Sequence, residues 1–149
     1  MPERFGDNAR NLGGGTSQAK GMTGQGTAAR RARATGLRGE DRAAVFLSSK
    51  GYSILARNFR TRAGEIDIIA EKSGTVAFVE VKTWNALSEA DLEFSIDQRK
   101  RRRIVRTARM FIARERELAE RSMRFDVLLL SERSSRILHI ENAFSGSID

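Results

Sequence analysis

Cysteine is absent from the chain. That excludes disulfides, zinc–thiolate centres and cysteine nucleophiles, and it suits a reducing, cytoplasmic compartment. No apolar run approaches the ~20 residues needed to span a bilayer, and the N-terminus lacks the apolar core of a signal peptide, so a soluble intracellular protein is expected. There is one histidine, His139, and no Ser or Cys constellation accompanies it. A histidine on a sheet face is therefore expected there, ahead of a general base. Internal repeats, a Gly-rich nucleotide loop and zinc-ligand spacing are all missing. Acidic residues are in deficit, 19 Asp and Glu against 27 Lys and Arg, for a net charge of +8. Such a balance favours a polyanionic partner and bears on association, not on fold.

The 149 residues suffice for one domain with a core and are too few for two. Residues 1–35 hold Gly13-Gly14-Gly15, scattered polar residues and almost no large apolar side chain. They read as a disordered tail, unable to offset the entropy of ordering. Arg4, Arg10, Lys20, Arg30, Arg31 and Arg33 outnumber Glu3 and Asp7 there, which adds sequence-independent attraction to phosphates. The blander reading is a dispensable extension, with Met22 as an alternative start. Residues 36–149 form the domain.

The domain is organised around Gly64-Glu65-Ile66-Asp67-Ile68-Ile69-Ala70-Glu71 and Val76-Ala77-Phe78-Val79-Glu80-Val81-Lys82, two runs rich in Ile and Val joined across Ser73-Gly74. The pattern is that of a β-hairpin. Centred on Ser73-Gly74, its register sets Asp67 opposite Glu80 and Glu65 opposite Lys82. Alternation then puts Glu65, Asp67, Glu80 and Lys82 on one face, with Ile66, Ile68, Val79 and Val81 on the other. Facing carboxylates ~5 Å apart repel. A hard divalent ion such as Mg²⁺ or Mn²⁺ turns that repulsion into a site; otherwise the face is an ordinary solvated one, eased by pairing with Lys82.

Leu37, Ala44 and Leu47 recur at helical spacing before a Gly51 stop, and Glu40 falls in that stripe. It is either a further oxygen ligand or a carboxylate favoured by the first turn of its helix. A strand from Tyr52 to Asn58 follows. Beyond Lys82, a polar loop carries Trp84, Glu89, Asp91 and Glu93, with packing favoured over base stacking for Trp84. A helix is expected over 95–120. Ile104, Ala108, Phe111 and Leu118 share one arc with Lys100, while Arg99, Arg102, Arg106 and Arg109 line the other side over ~15 Å. Those four suit a row of phosphates, or a solvated face. Phe125-Asp126-Val127-Leu128-Leu129-Leu130 reads as a strand covered on both faces, and 137–140 as a last strand running into 141–144.

This order, with Glu40, Asp67 and Glu80-Val81-Lys82, resembles the restriction-endonuclease-like nucleases with a PD-(D/E)xK site, including archaeal Holliday junction resolvases. It is similar more closely to the bacterial YraN family. Gly39-Glu40, Ala44, Gly51-Tyr52, Asn58, Arg60, Gly64-Glu65-Ile66-Asp67, Phe78-Val79-Glu80-Val81-Lys82, Lys100, Ala108, Arg124-Phe125-Asp126 and Asn142-Ala143-Phe144 carry the likeness. Ile66 stands where the superfamily motif has Pro, and the Gly-rich tail has no counterpart. The resemblance implies an α/β fold, an α-β-β-β-α-β core whose mixed sheet is flanked by helices. It implies Mg²⁺ or Mn²⁺ at Asp67 and Glu80, extended by Glu40. It also implies a Lys82 that orients or deprotonates the attacking water, phosphate contacts at Arg60 and Lys100, and hydrolysis of DNA, branched or structured, by a protein that pairs with a second copy; Glu65, opposite Lys82 in the register, is expected to tune that lysine through its charge. Two other readings stay open: a non-catalytic nucleic-acid-binding module on the same fold, and a basic assembly factor docking on an acidic protein.

Overall fold

The computed structural model describes residues 24–84 and 96–147. In chain order these form helix α1 (Gly24–Ser49), strands β1 (Ser53–Thr61), β2 (Gly64–Lys72) and β3 (Thr75–Trp84), helix α2 (Gln98–Arg114), a 3₁₀ turn (Arg116–Leu118), and strands β4 (Ser122–Ser131) and β5 (Ile137–Phe144). The five strands make one sheet in the order β1-β2-β3-β4-β5. β3 and β4 run parallel and every other neighbouring pair is antiparallel. The chain thus has the mixed-sheet core of a restriction-endonuclease-like protein, with α2 as the crossover between the parallel strands.

Each helix covers one face of the sheet. On the α2 side lie Ile66, Ile69, Phe78, Ile104, Phe111, Phe125, Leu129 and Phe144; on the α1 side lie Ala43, Ala44, Leu47, Ile68, Val79, Leu128 and Leu130. A strand covered on both faces needs no alternation of polar residues. Accordingly Phe125 through Leu130 of β4 are all buried.

The hairpin register is as expected, from Lys72↔Thr75 to Ile68↔Val79. Ser73 and Gly74 form its two-residue loop at φ 50 and 76, the left-handed pair that matches strand twist. The expected division of faces fails in one place, for Ile66 and Ile68 enter opposite core layers. The cause is a kink shared with β1. Asn58, at φ 50, sits between the pairs Arg57↔Ile68 and Phe59↔Ile66. Ala56 and Phe59, and likewise Ile66 and Ile69, therefore pack on the same side although three positions apart. Asp67 lies at this kink.

Both helices differ from expectation at their ends. α1 begins at Gly24, so residues 24–35 are helical and not part of a disordered tail. The Ala- and Arg-rich run from Ala28 to Ala34 has high intrinsic helix propensity, and Thr27 to Arg31 are exposed. Residues 1–23 and the side chain of Leu37 lie outside the described residues. α2 starts behind Asp97, whose Oδ1 accepts from the Lys100 N–H at 2.8 Å, and stops at Arg114. Glu115 leaves helical dihedrals there, though its N–H still donates to Phe111 O at 2.9 Å. Leu118 is then buried from the 3₁₀ turn and not from a continuous helix.

Phe111 anchors α2. It is 5% exposed and meets Phe59 and Phe78 edge-on at centroid distances of 5.2 and 6.2 Å. Phe111→Ala should cost about 3–4 kcal/mol and lower the melting temperature by roughly 10 °C, as read by calorimetry, with Phe111→Leu losing less than half as much.

Candidate metal and nucleic-acid site

Beyond Ile68↔Val79 the β2–β3 ladder opens. In place of a backbone acceptor, Asp67 Oδ2 takes the Val81 N–H at 2.8 Å. Holding a carboxylate between two strands removes it from water, and burial is the largest reason that the Asp67 pKa rises from 3.8 to about 7. The negative charge of Glu80 pushes the same way, the Val81 N–H opposes, and Glu40 adds a further push. Glu80 itself is 7% exposed. The three carboxylates thus share one electrostatic neighbourhood.

Glu40 arrives from α1. Gly39 is buried, and a Cβ there would stand 3.3 Å from Thr83 Cγ2. The absence of a side chain at Gly39 lets this turn of helix rest against the end of β3. Because α1 begins at Gly24, Glu40 sits in the helix interior, which removes the first-turn explanation for it. Its Oε2 is buried with no hydrogen-bond partner. A buried carboxylate oxygen left alone is costly, and a bound cation would satisfy it.

One cation among the described residues touches the group. Lys100, on the sheet-facing side of α2, places its Nζ against Glu80 Oε1, so the expectation that it turns inward holds, although its partner is a carboxylate. Lys82 is half-buried at the end of β3. Glu65 does not reach it. The β1–β2 ladder continues to Arg60↔Glu65 where β2–β3 has already parted, and Glu65 Oε2 pairs with Arg60 Nε at 3.1 Å. Tuning of Lys82 by Glu65 is therefore not supported, and Arg60 is tied to a carboxylate.

Among the described residues, no three Asp, Glu or His side chains are already gathered as a metal-binding group. The donor chemistry nonetheless fits a hard divalent ion. The ligands on offer are carboxylate oxygens, one of them orphaned and another holding its proton to about pH 7, chiefly through burial and then through the charge of Glu80.

The basic face of α2 is exposed. Arg99, Arg102 and Arg106 line an open cleft with Asp97, Gln98 and Arg103. Arg103 was not among the expected contacts; it packs by the β1–β2 turn, where a Cβ on Gly64 would come within 3.3 Å of its own Cβ. Arg109 is diverted, donating from Nε and Nη2 to Ser147 O at 3.1 and 2.6 Å. Trp84 packs against the α2-side core. Glu89, Asp91 and Glu93 lie outside the described residues.

A second buried polar group escaped the sequence argument. Asp126 is fully buried on the α1 face, gripped by Arg124 from Nε and Nη2 at 2.8 and 2.9 Å, by His139 Nε2 at 2.8 Å and by the Asn142 N–H at 3.0 Å. Burial alone would raise its pKa, but the His139 and Arg124 hydrogen bonds outweigh burial and lower it. Arg124 Nη2 also donates to Tyr52 Oη at 2.7 Å. His139 is thus a sheet-face histidine, with its ring against Phe46 and Tyr52. The readable signal was the two-residue spacing of Arg124 and Asp126, which puts a cation and an anion on one face of an otherwise apolar strand.

Residues 39–130 match the model of a family described as uncharacterised protein family UPF0102, a span that holds Glu40, Asp67, Glu80, Lys82, Lys100 and Asp126. A UPF0102 protein of Persephonella marina is 43% identical over 109 residues, covering 73% of this chain and 91% of its own. One from Rhodopseudomonas palustris is 46% identical over 113 residues, covering 76% and 85%. Another from Treponema pallidum is 44% identical over 111 residues, covering 71% and 88%. With most of its length shared at such identity, the chain belongs to the UPF0102 family.

Proposed function

We propose that this protein is a divalent-metal-dependent phosphodiesterase that hydrolyses nucleic acid, DNA in preference to RNA. One observation carries the reading: Asp67, at the parting of β2 and β3, feels the negative charges of both Glu80 and Glu40, and Glu40 keeps a buried oxygen without a partner. Asp67 and Glu80 would hold Mg²⁺ or Mn²⁺, with Glu40 extending the shell. The ion, when bound, supplies acidification of a water and stabilisation of charge on the phosphoryl oxygens. Lys82, at the end of the strand that carries Glu80, orients the attacking water. Arg99, Arg102, Arg103 and Arg106 hold the backbone phosphates on either side of the scissile one. DNA as the substrate, branched or structured, and a second copy as partner rest on the resemblance to resolvases.

A purely binding module is the weaker alternative, because buried carboxylates beside a phosphate track hinder binding and serve no purpose in it. An assembly factor docking on an acidic protein would not be competed by free DNA. It also would not show the linear loss of log affinity with log salt that phosphate contacts produce.

Incubation with linear, branched and single-stranded substrates plus Mg²⁺ or Mn²⁺ tests the proposal. Asp67→Ala and Glu80→Ala should each reduce cleavage by at least ~100-fold and keep or tighten DNA binding, since an anion is removed. Loss of binding in both variants would contradict the metal-site account.

Charge reversal at Arg102 and Arg106 should reduce the slope of log affinity against log salt by about 2, measured by fluorescence anisotropy, with metal affinity unaltered. An unchanged slope would show that the phosphates run elsewhere.

Asp67 holds its proton more tightly in the folded chain than in the unfolded one. The stability this gives is complete below about pH 4 and disappears as the pH rises through about 7. Asp126, with its lowered pKa, has the opposite sign and loses its contribution only at lower pH. In chelator, the melting temperature should therefore fall by roughly 5–10 °C between pH 5 and pH 8. Asp67→Asn should flatten that profile, and Mn²⁺ should restore the wild type at pH 8 far more than at pH 5.

A further inference from the structure

Among the described residues, the one cation in contact with the carboxylate group comes from neither strand of the hairpin. It is Lys100, from the first turn of α2. Its side chain is 42% exposed whereas that of Glu80 is 8% exposed, so the ammonium reaches a buried acid from a partly exposed position on the helix that also lines the open arginine cleft. Its neighbours Arg99, Arg102 and Arg103 line that cleft. Its backbone is fixed, with the N–H held by Asp97 Oδ1. Its long flexible stem and compact charge allow the ammonium to swing without moving the helix, as a planar guanidinium in a forked pair would not.

We infer that Lys100 is a positioning residue that keeps Glu80 closed to divalent cations until a nucleic-acid phosphate in the arginine cleft draws its ammonium away. The inference rests on the metal-site reading proposed above. In the absence of metal, Lys100 neutralises Glu80 and lets the strands remain together around like charges. A divalent ion must displace that ammonium before it gains Glu80, so its affinity for the free protein is lowered. A phosphate seated against Arg99, Arg102 and Arg103 offers Lys100 a second anion within reach, and the displacement then costs less. Metal and nucleic acid each strengthen the binding of the other by the same factor, as linkage requires. Hydrolytic competence is thereby withheld until substrate is in place.

Mn²⁺ binding by titration calorimetry, to the whole chain with and without a short DNA duplex, tests this in the wild type, Lys100→Met and Lys100→Gln. The wild type should bind Mn²⁺ at least about tenfold more tightly with duplex than without. Both variants should bind Mn²⁺ about tenfold more tightly than the wild type in the absence of DNA, gain less than about twofold on adding it, and melt below the wild type in chelator. Variants that melt cooperatively yet bind Mn²⁺ no better than the wild type without DNA would overturn the latch while leaving the metal site intact, provided that Asp67→Ala weakens Mn²⁺ binding. If no form binds Mn²⁺ with or without DNA, the hydrolase reading fails and the latch with it.

Discussion

Repulsion among carboxylates partly or wholly withdrawn from water is the constraint on which this structure turns. Two unit charges ~4 Å apart at an effective dielectric of 20 interact by about 4 kcal/mol, a large share of the ~5–15 kcal/mol that holds a whole domain together. A chain that brings Asp67, Glu80 and Glu40 into one neighbourhood needs something positive there. The protein meets the need twice. An ammonium from α2 neutralises Glu80, and Asp67 retains a proton up to about pH 7. Glu40 Oε2 is left with neither. A proton on Asp67 and a lysine on Glu80 are then two answers to one electrostatic demand.

The sheet makes room for such groups by giving up ladder bonds. Asp67 takes the Val81 N–H where β2 leaves β3, beside a kink at Asn58 with φ 50. Asp126 takes the Asn142 N–H where the β4–β5 register slips, beside a kink at Asn142 with φ 52. In both places a carboxylate stands in for a backbone acceptor, so the donor is not orphaned. The two sites differ in what surrounds the carboxylate. Arg124 and His139 saturate Asp126, which leaves it inert and structural. Asp67 is faced by other acids, which leaves it seeking a cation. Two aspartates with the same backbone role therefore differ in chemistry because of their neighbours alone.

Strand and helix order, the hairpin register and the inward turn of Lys100 were legible because each depends on local periodicity. The Ser73-Gly74 turn fixes which residues pair, and α2 carries its apolar residues on a narrow arc. The split between Ile66 and Ile68 was not legible, because it follows from Asn58 on a different strand. Nor was the partner of Glu65. The register pointed to Lys82, and only the parting of β2 from β3 hands Glu65 to Arg60. Helicity from Gly24 was obscured by Gly-rich composition, although the Ala and Arg content of that stretch argued for it. The Asp126 network joins Tyr52, Arg124, His139 and Glu141 across strands far apart in sequence, which no periodicity encodes.

The start of α2 breaks a local rule in a way that bears on function. Helix N-termini favour anions, since unpaired N–H groups and the macrodipole place partial positive charge there. Yet the first turn of α2 contains no acidic residue, and Arg99 to Arg103 are five consecutive cations capped by Asp97 alone. Arg101 is tied inward, donating to Ile96 O at 2.9 Å and lying over the Phe144 ring at 5.6 Å. Lys100 is tied to Glu80, and the remaining guanidiniums face the cleft. Such a cluster opposes both the dipole and itself, so it lowers the stability of the isolated chain. A polyanion laid along the cleft would relieve both repulsions, and the same approach of negative charge would pull on Lys100. The helix that is least comfortable alone is the one that carries both the open arginine cleft and the lysine paired with Glu80, a departure from local consistency of the kind expected at a functional site.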